Sequence, residues 1–379
     1  MISLSTKKLR QGMITAQGIY NAKGASYLTK GTELNQQYID RLKKIGISKV
    51  NVTAMDPKVR LQPPEDIVQE ETRINAIHRV FNAFQDIERF DNCNLDMLHG
   101  TSENIVVDLL SQRDNLVQIT DIRLHDDYTF SHSVNVAILA AMLGSLCHLT
   151  KQDLLELTLG GLLHDIGKLV VPANILNKPS TLNDQEFHIV HRHPEAGRLK
   201  LIDLKTSIAP TLATIAVQHH EHMDGRGYPN QLMGSQIHRF SRITAIADVY
   251  DALTSQRPYK KAYKPYTAYR IMSKCSEGQF DEELLRLFFD NVALYPVGTV
   301  LKTDMGYAIV KKVKFGLTRT PIICVFADND VQILRHPIDV DLTDCQPETI
   351  ERVIEDQELY TLLFKLKVDP AIYLTEAFA

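Results

Sequence analysis

The apolar positions along the 379-residue chain fall into four stretches with different periods. In residues 1–55, Thr15 to Tyr20 and Ser26 to Leu28 have strand character around a turn at Asn21–Gly24. A helix from Asn35 to Ile45 follows, with Ile39, Leu42 and Ile45 on one face and Gly46 placed to cap it. Ser48 to Val52 reads as a closing strand, so this stretch is expected to be a small α+β module with a regulatory or packing role. Residues 56–124 open with a linker, Asp56 to Asp66, that holds three prolines. The pattern from Ile67 to about Leu124 is helical and mixed in charge, a lead-in or dimerising segment.

Residues 125–294 are helical throughout. Val136, Leu139, Ala140 and Leu143 stripe a helix running from Tyr128 to about Gly144. Leu155, Leu159, Leu162 and Leu163 stripe the next. A connector from Val170 to Pro179 leads to a helix capped by Asn183, with Glu186 at the reciprocal position. An apolar helix from Ile208 to Val217 and another from Ser241 to Thr254 complete the set. Residues 295–379 change texture: Gly298–Lys302, Tyr307–Val313, Ile322–Phe326 and Val331–Leu334 read as short strands, with a turn at Met305–Gly306. A helix from about Pro347 to Asp356 and a tail to Ala379 are expected to end the chain. The fold class is therefore mainly α: a helical core, a small α+β N-terminal module and a short antiparallel β appendage at the C-terminus.

Composition narrows the function classes. Apolar residues at 44% and charged residues at 23% are ordinary for a soluble globular protein. A net charge of −4 leaves no global footprint for a nucleic-acid polymer or an acidic membrane, so any anion site must be local. The five cysteines, Cys93, Cys147, Cys275, Cys324 and Cys345, are odd in number and lack metal-type spacing. They read as reduced thiols. The longest mainly apolar run, Val136 to Cys147, is too short to span a bilayer, and no apolar segment follows Lys7, Lys8 and Arg10. A cytoplasmic protein without membrane insertion is expected.

Histidine is the informative residue: of the 14, six fall between His188 and His222. His164 and Asp165, within Leu162-Leu163-His164-Asp165-Ile166-Gly167-Lys168, sit at the inner end of a core helix. Neighbours on a helix point about 100° apart, so the pair can grip two metals, or the carboxylate can bridge them. The bland alternative is a buried His–Asp hydrogen bond. His132 lies on the face of Val136, and is either hydrogen-bonded or ligating. Of His188, His191 and His193, the last precedes Pro194 and is the better ligand candidate, the others reading as surface residues. His219 and His220 are adjacent, and each can serve a different metal. Asp248 and Asp251 are one turn apart among Ile243, Ile246 and Val249, and a buried carboxylate there must be paired or metal-bound. Asp224-Gly225-Arg226-Gly227-Tyr228-Pro229 is a loop that lines a ligand or simply turns. Arg257, Lys260, Lys261 and Lys264 form a basic patch suited to phosphate or to plain solvation.

This ordered set resembles the HD-domain phosphohydrolases, and specifically the HD-GYP family. The likeness includes His132 to Val136, His164 to Lys168, Ile175 to Pro179, His193-Pro194, His219-His220-Glu221, Gly227-Tyr228-Pro229, Ala247 to Thr254 and Arg257-Pro258-Tyr259. It covers roughly residues 125–290. The resemblance implies a helical domain holding two divalent metals, iron or manganese, and a phosphodiesterase opening cyclic di-GMP to linear pGpG and in some cases on to GMP. On that likeness His132, His164, Asp165, His193, His219, His220 and Asp248 hold the metals, with Asp165 bridging them. Lys168 and Asp165 are the catalytic pair, Lys168 neutralising charge or protonating the leaving oxygen. Arg257, Lys260, Tyr228 and Gly227 bind substrate. Diguanylate-cyclase-type or other signalling proteins are candidate partners, and the oligomeric state is open. Cyclic GMP-AMP is the alternative substrate, and a non-catalytic receptor or interaction module the alternative class. A degenerate receptor would lack ligands, and none is missing here. An HD enzyme acting on nucleoside polyphosphates fits the Gly-Tyr-Pro loop and the Arg257-Pro258-Tyr259 stretch poorly. Members with a third metal carry a glutamate one turn before the first histidine, where this chain has Tyr128, so two metals are expected.

Overall fold

The computed structural model describes residues 2–20, 26–47, 49–63, 66–92, 94–112, 123–124, 128–176, 178, 180–204, 209–255, 262–275, 278–345 and 349–374, with only the backbone at 3, 123, 124, 128 and 129. Its N-terminal module pairs β1 (Ile2–Ser5) with a later strand, and places β2 (Ile19–Tyr20) antiparallel to β3 (Ser26–Leu28). Helix α1 (Gln36–Lys44) starts where Asn35 accepts from the Tyr38 N–H, and stops at Gly46, whose φ of 84° suits glycine. Gly46 and Ile47 then donate to the carbonyls of Lys43 and Leu42, closing the helix end. Strand β4 (Lys49–Val52) runs antiparallel to β1, a partner that the alternation of apolar positions did not reveal.

The helical body begins with α2 (Glu70–Phe90) and α3 (Leu95–Ser111), which share one apolar core with the helices that follow. Strand β5 (Arg123–Leu124) pairs parallel with β2, and the Tyr20 hydroxyl donates to Glu70, so the module is tied to the body at two points. Helix α4 (Tyr128–Leu146) is buried on all sides from Ser131 to Ser145. A helix without a polar face belongs at the centre of a bundle. Packed on it are α2, α3, α5 (Lys151–Leu163), α10 (Arg239–Thr254) and α12 (Glu282–Asn291), while the short α6 (Ala173–Leu176), α7 (Asp184–Val190), α8 (His193–Asp203), α9 (Pro210–Gln218) and α11 (Pro265–Cys275) complete the body. Asn183 and Glu186 cap α7 reciprocally, as their spacing requires. Pro194 does not kink a continuous helix; the chain ends α7 and restarts at His193.

The C-terminal region is a five-stranded antiparallel sheet of β6 (Val300–Thr303), β7 (Gly306–Lys314), β8 (Leu317–Ala327), β9 (Ile333–Asp341) and β10 (Ile350–Val353), in the order β10-β6-β7-β8-β9. The helix expected from Pro347 to Asp356 is corrected here. Ile350 to Val353 pair with Thr303 to Leu301 as an edge strand, and α13 (Asp356–Leu366) starts where that helix was to end. Leu359, Leu362, Leu363 and Leu366 recur at helical spacing and are all buried, which is what places the helix later. They join Ile2, Leu4, Leu34, Ile39 and Leu42 in a second apolar core, so the two ends of the chain pack together. Asp369 fastens them by accepting from the backbone N–H groups of Met55 and Asp56 at 2.7 and 2.9 Å.

Candidate metal centre

Seven side chains converge at one end of the helical body. His132 lies on the second turn of α4, and His164 is the first residue past α5. Asp165 follows with φ −96° and ψ 10°, leading into a 3-10 turn over Ile166–Val170. His193 opens α8, His219 and His220 end α9, and Asp248 lies inside α10. A side chain on Gly167 would run into the His193 carbonyl and Gly197, so glycine lets the turn after Asp165 press against α8. Ligand atoms lie within 4.8 Å of one another in three overlapping groups: His193, His219 and His220; His132, His164 and Asp165; and His164, His219 and Asp248. All seven residues expected to hold metal are brought together.

The hydrogen bonds behind the rings fix which nitrogen faces inward. His164 Nδ1 lies 2.7 Å from the Gly161 carbonyl, His193 Nδ1 2.7 Å from that of Val190, and His219 Nδ1 2.9 Å from that of Ala216. A carbonyl only accepts, so each Nδ1 carries the proton and each Nε2 presents a lone pair. His132 Nδ1 donates in the same way to Asp251 Oδ2 at 2.6 Å. The consequence is an electron-rich centre. His193 Nε2 and His219 Nε2, both lone-pair atoms, face each other at 3.3 Å. His164 Nε2 and Asp165 Oδ1 are buried with no hydrogen-bond partner. Such a set is stable around cations, and mixed imidazole and carboxylate donors suit first-row divalent metals.

Asp165 divides its two oxygens between two pairs of rings. Oδ1 lies 3.4 Å from His193 Nε2 and 3.8 Å from His219 Nε2. Oδ2 lies 3.6 Å from His132 Nε2 and 3.4 Å from His164 Nε2, and also meets Lys168 Nζ at 2.5 Å. Asp248 faces His132 Nε2 at 3.1 Å with one oxygen and His220 Nδ1 at 3.8 Å with the other. Burial raises the carboxyls of both aspartates, but the charges around them win. The Lys168 ammonium holds Asp165 well below the usual carboxylate range, and His132 does the same for Asp248. Burial lowers His193 to about 4 and His220 to about 3, and holds His219 low as well, leaving neutral rings. His132 differs: burial again disfavours its charge, yet the hydrogen bonds to Asp248 and Asp251 prevail and push it up to about 9.

The loop beside the centre is anchored by Glu221, which is buried and accepts from the N–H groups of Asn230 and Leu232. Gly227, expected to contact substrate, is buried against the backbone of His220 to His222, where a Cβ would find no room. Tyr228 is carried to the rim and stacks between His191, at 3.7 Å and 12°, and His220, at 4.8 Å and 24°. His191 is thus half-buried against Tyr228, whereas His188 is exposed. Arg257, Lys260 and Lys261 lie outside the described residues. Lys264 turns the other way, donating to the Ile354 carbonyl and pairing with Asp356. Asp251 and Asn135, which back His132, were not assigned a role from sequence; the signal was Asp251 sharing the buried face of Asp248.

A family model described as an HD domain matches residues 104–284. A cyclic di-GMP phosphodiesterase of Pseudomonas aeruginosa is 37% identical over 251 residues, covering 65% of this chain and 60% of that protein. A 3'3'-cGAMP-specific phosphodiesterase of Vibrio cholerae is 35% identical over 206 residues, 53% of this chain and 37% of that protein. The chain therefore spans less than two thirds of the length of these curated relatives. Among solved structures, an HDG"Y"P protein from Bdellovibrio bacteriovorus matches with a TM-score of 0.50 and 19% identity, covering 76% of this chain and 98% of that one, which is a likeness of fold. The helical bundle and its histidine–aspartate centre define an HD domain. With Gly227-Tyr228-Pro229 on the loop beside that centre, the domain is similar to the HD-GYP branch of HD domains.

Proposed function

We propose that the chain is a metal-dependent phosphodiesterase that hydrolyses cyclic di-GMP to linear pGpG, and on to GMP where the product rebinds. The observation that carries this reading is the division of Asp165, one oxygen toward His193 and His219 and the other toward His132 and His164. A carboxylate so placed suits two divalent ions, iron or manganese, held by His132, His164, Asp165, His193, His219, His220 and Asp248. Bound there, such a pair supplies a hydroxide nucleophile and stabilises attacking and leaving oxygens. The chain's own residues do the rest. The backbone carbonyls of Gly161, Val190 and Ala216 keep three rings in the ligating tautomer. Lys168, a quarter exposed, brings a positive charge to the edge of the centre, where it neutralises phosphate charge or protonates the leaving oxygen. Tyr228, braced by His191, walls the pocket, and Arg257 with Lys260 takes the second phosphate. Residues 1–55 act as a regulatory or packing module, and diguanylate-cyclase-type or other signalling proteins are the candidate partners of the chain.

Cyclic GMP-AMP is the second reading, supported by the 35% identity to a cGAMP-specific relative. A cytoplasmic location is supported by the unpatterned thiols, and no helix among the described residues is long and apolar enough to cross a membrane. Anaerobic purification, metal analysis and product chromatography with both cyclic dinucleotides test the proposal. Hydrolysis of cyclic di-GMP by the metal-replete protein is expected; binding without turnover would make it a receptor instead.

A further inference from the structure

Among the described residues Arg73 is the largest fully buried side chain, 1% exposed, and it lies on α2, before the segment that the HD-domain family model matches. Burying a guanidinium is costly unless its charge is paired; Nη1 and Nη2 are both used, while Nε is buried with no hydrogen-bond partner. Nη2 donates to Asp66 Oδ2 at 2.9 Å, which neutralises the charge. Nη1 donates to Asn135 Oδ1 at 2.8 Å, across 62 residues of sequence.

That second bond has a consequence for the metal centre. Guanidinium only donates, so the Asn135 amide must turn its oxygen to Arg73 and its NH2 group the other way. The NH2 group then donates to Asp251 Oδ1 at 2.9 Å, where Ser255 Oγ also donates at 2.7 Å. The other oxygen of Asp251 accepts from His132 Nδ1 at 2.6 Å, leaving His132 Nε2 to face Asp248 and Asp165. Without Arg73 the Asn135 oxygen loses the buried donor that anchors it, so the amide that donates to Asp251 is braced on one side less.

We propose that Arg73 is a positioning residue for the metal centre, acting through Asn135 and Asp251 on the orientation of His132. The inference rests on the metal-centre reading above. Partners behind a ligating histidine typically change metal affinity about 10–100-fold when removed.

The test is Mn2+ titration of metal-stripped full-length protein, with calorimetry giving affinity and stoichiometry and thermal melts of the stripped protein giving fold stability. Arg73→Met should weaken one Mn2+ site about tenfold or more. In an Asp251→Asn background the same substitution should add nothing further, since neighbours in one network are non-additive. Arg73→Lys keeps the charge opposite Asp66 if methionine prevents folding. It replaces the two-directional fork by a compact ammonium and should also weaken that site. Mn2+ affinity like the wild type in both variants, or a full effect of Arg73→Met in the Asp251→Asn background, would overturn the inference and leave Arg73 a structural brace. Wild-type protein that takes up no Mn2+ would overturn the reading of the centre, and this inference with it.

Discussion

Lys168 Nζ and Asp165 Oδ2 lie 2.5 Å apart, on the side of the carboxylate that also faces His132 and His164. On the proposed reading of the centre, the ammonium would compete with a metal ion for the same oxygen. Lys168→Met should leave Mn2+ affinity unchanged or tighter, because the carboxylate loses a rival cation. The same variant should lower kcat about 10²–10³-fold, the usual loss when one fixed donor to developing charge is removed. Parallel calorimetry and steady-state kinetics check both signs; weaker metal binding would show that Lys168 holds Asp165 in place instead.

The stack of His191 on Tyr228 predicts an effect on substrate binding with little effect on chemistry. His191→Ala removes the ring lying flat on Tyr228 but touches none of the seven converging side chains. Ring pairs contribute about 0.5–1.5 kcal/mol beyond buried area, so KM should rise about 2–10-fold with kcat retained. His191→Phe should restore most of the loss. An unchanged KM in His191→Ala would detach Tyr228 from the substrate pocket.

How far the sequence could be read follows from what each residue answers to. His164, Asp165 and His219-His220 were legible because adjacent or one-turn spacing is a local property, set by helix geometry alone. Asp248 was legible because a carboxylate among Ile243 and Ile246 demands a partner. His191 was misread because its partner Tyr228 lies 37 residues on, and no spacing rule links them. Arg73 was invisible for the same reason. Strand β10 and helix α13 were mistaken because Ile350–Val353 are an edge strand with half-exposed residues, a weak alternation, while the leucine stripe beyond it was passed over as a tail. The joining of both chain ends in one core is a tertiary fact that no local pattern encodes.

Asp369 offers a test of that joint core. One oxygen accepts from the N–H groups of Met55 and Asp56 and the other from that of Ala371, and the side chain is 8% exposed. Asp369→Ala leaves these three N–H donors without a charged acceptor, a loss of about 1.5–3 kcal/mol. Asp369→Asn, which keeps an acceptor, should lose less. Urea unfolding gives the midpoint shift, and Mn2+ stoichiometry should not move, since the metal centre belongs to the other core. A fall in stoichiometry would mean that the two cores are coupled.

The metal-free protein should be most stable near pH 6.5, the ordinary histidine value, and lose stability on either side. His193 and His220 titrate near 4 and 3 in the folded protein against 6.5 for an ordinary histidine. As pH falls below 6.5 the unfolded chain takes up protons that the folded one refuses, and stability declines down to those values. Asp165 and Asp248, held low when folded, add a further loss once the pH reaches the ordinary carboxylate range. His132 behaves in the opposite sense: raised to about 9, it stabilises fully below 6.5 and loses that contribution as pH rises through 9. Thermal melts in chelator between pH 4.5 and 9.5 should trace both limbs, and His132→Gln should flatten the alkaline one. A profile that rises steadily to pH 9.5 would contradict the ionisation scheme.

The number of metals follows from the donors available. Among the described residues, every group close enough to hold an ion draws on the same seven side chains. Asp165 serves two ring pairs with its two oxygens, and Asp248 faces His132 and His220, which divides the seven between two ions. A third ion would need a further anionic donor near His132. One turn before that histidine, at the first position of α4, stands Tyr128, and a phenol with a pKa of about 10 is a poor ligand at neutral pH. His125, Asp126 and Asp127 lie outside the described residues. Two ions per chain are expected from metal analysis of anaerobically purified protein and from anomalous scattering at the iron and manganese edges. Tyr128→Glu, which supplies the missing carboxylate, should raise the count to three. Three fully occupied peaks in the wild type would overturn the two-metal assignment and show that a carboxylate from another segment completes the site.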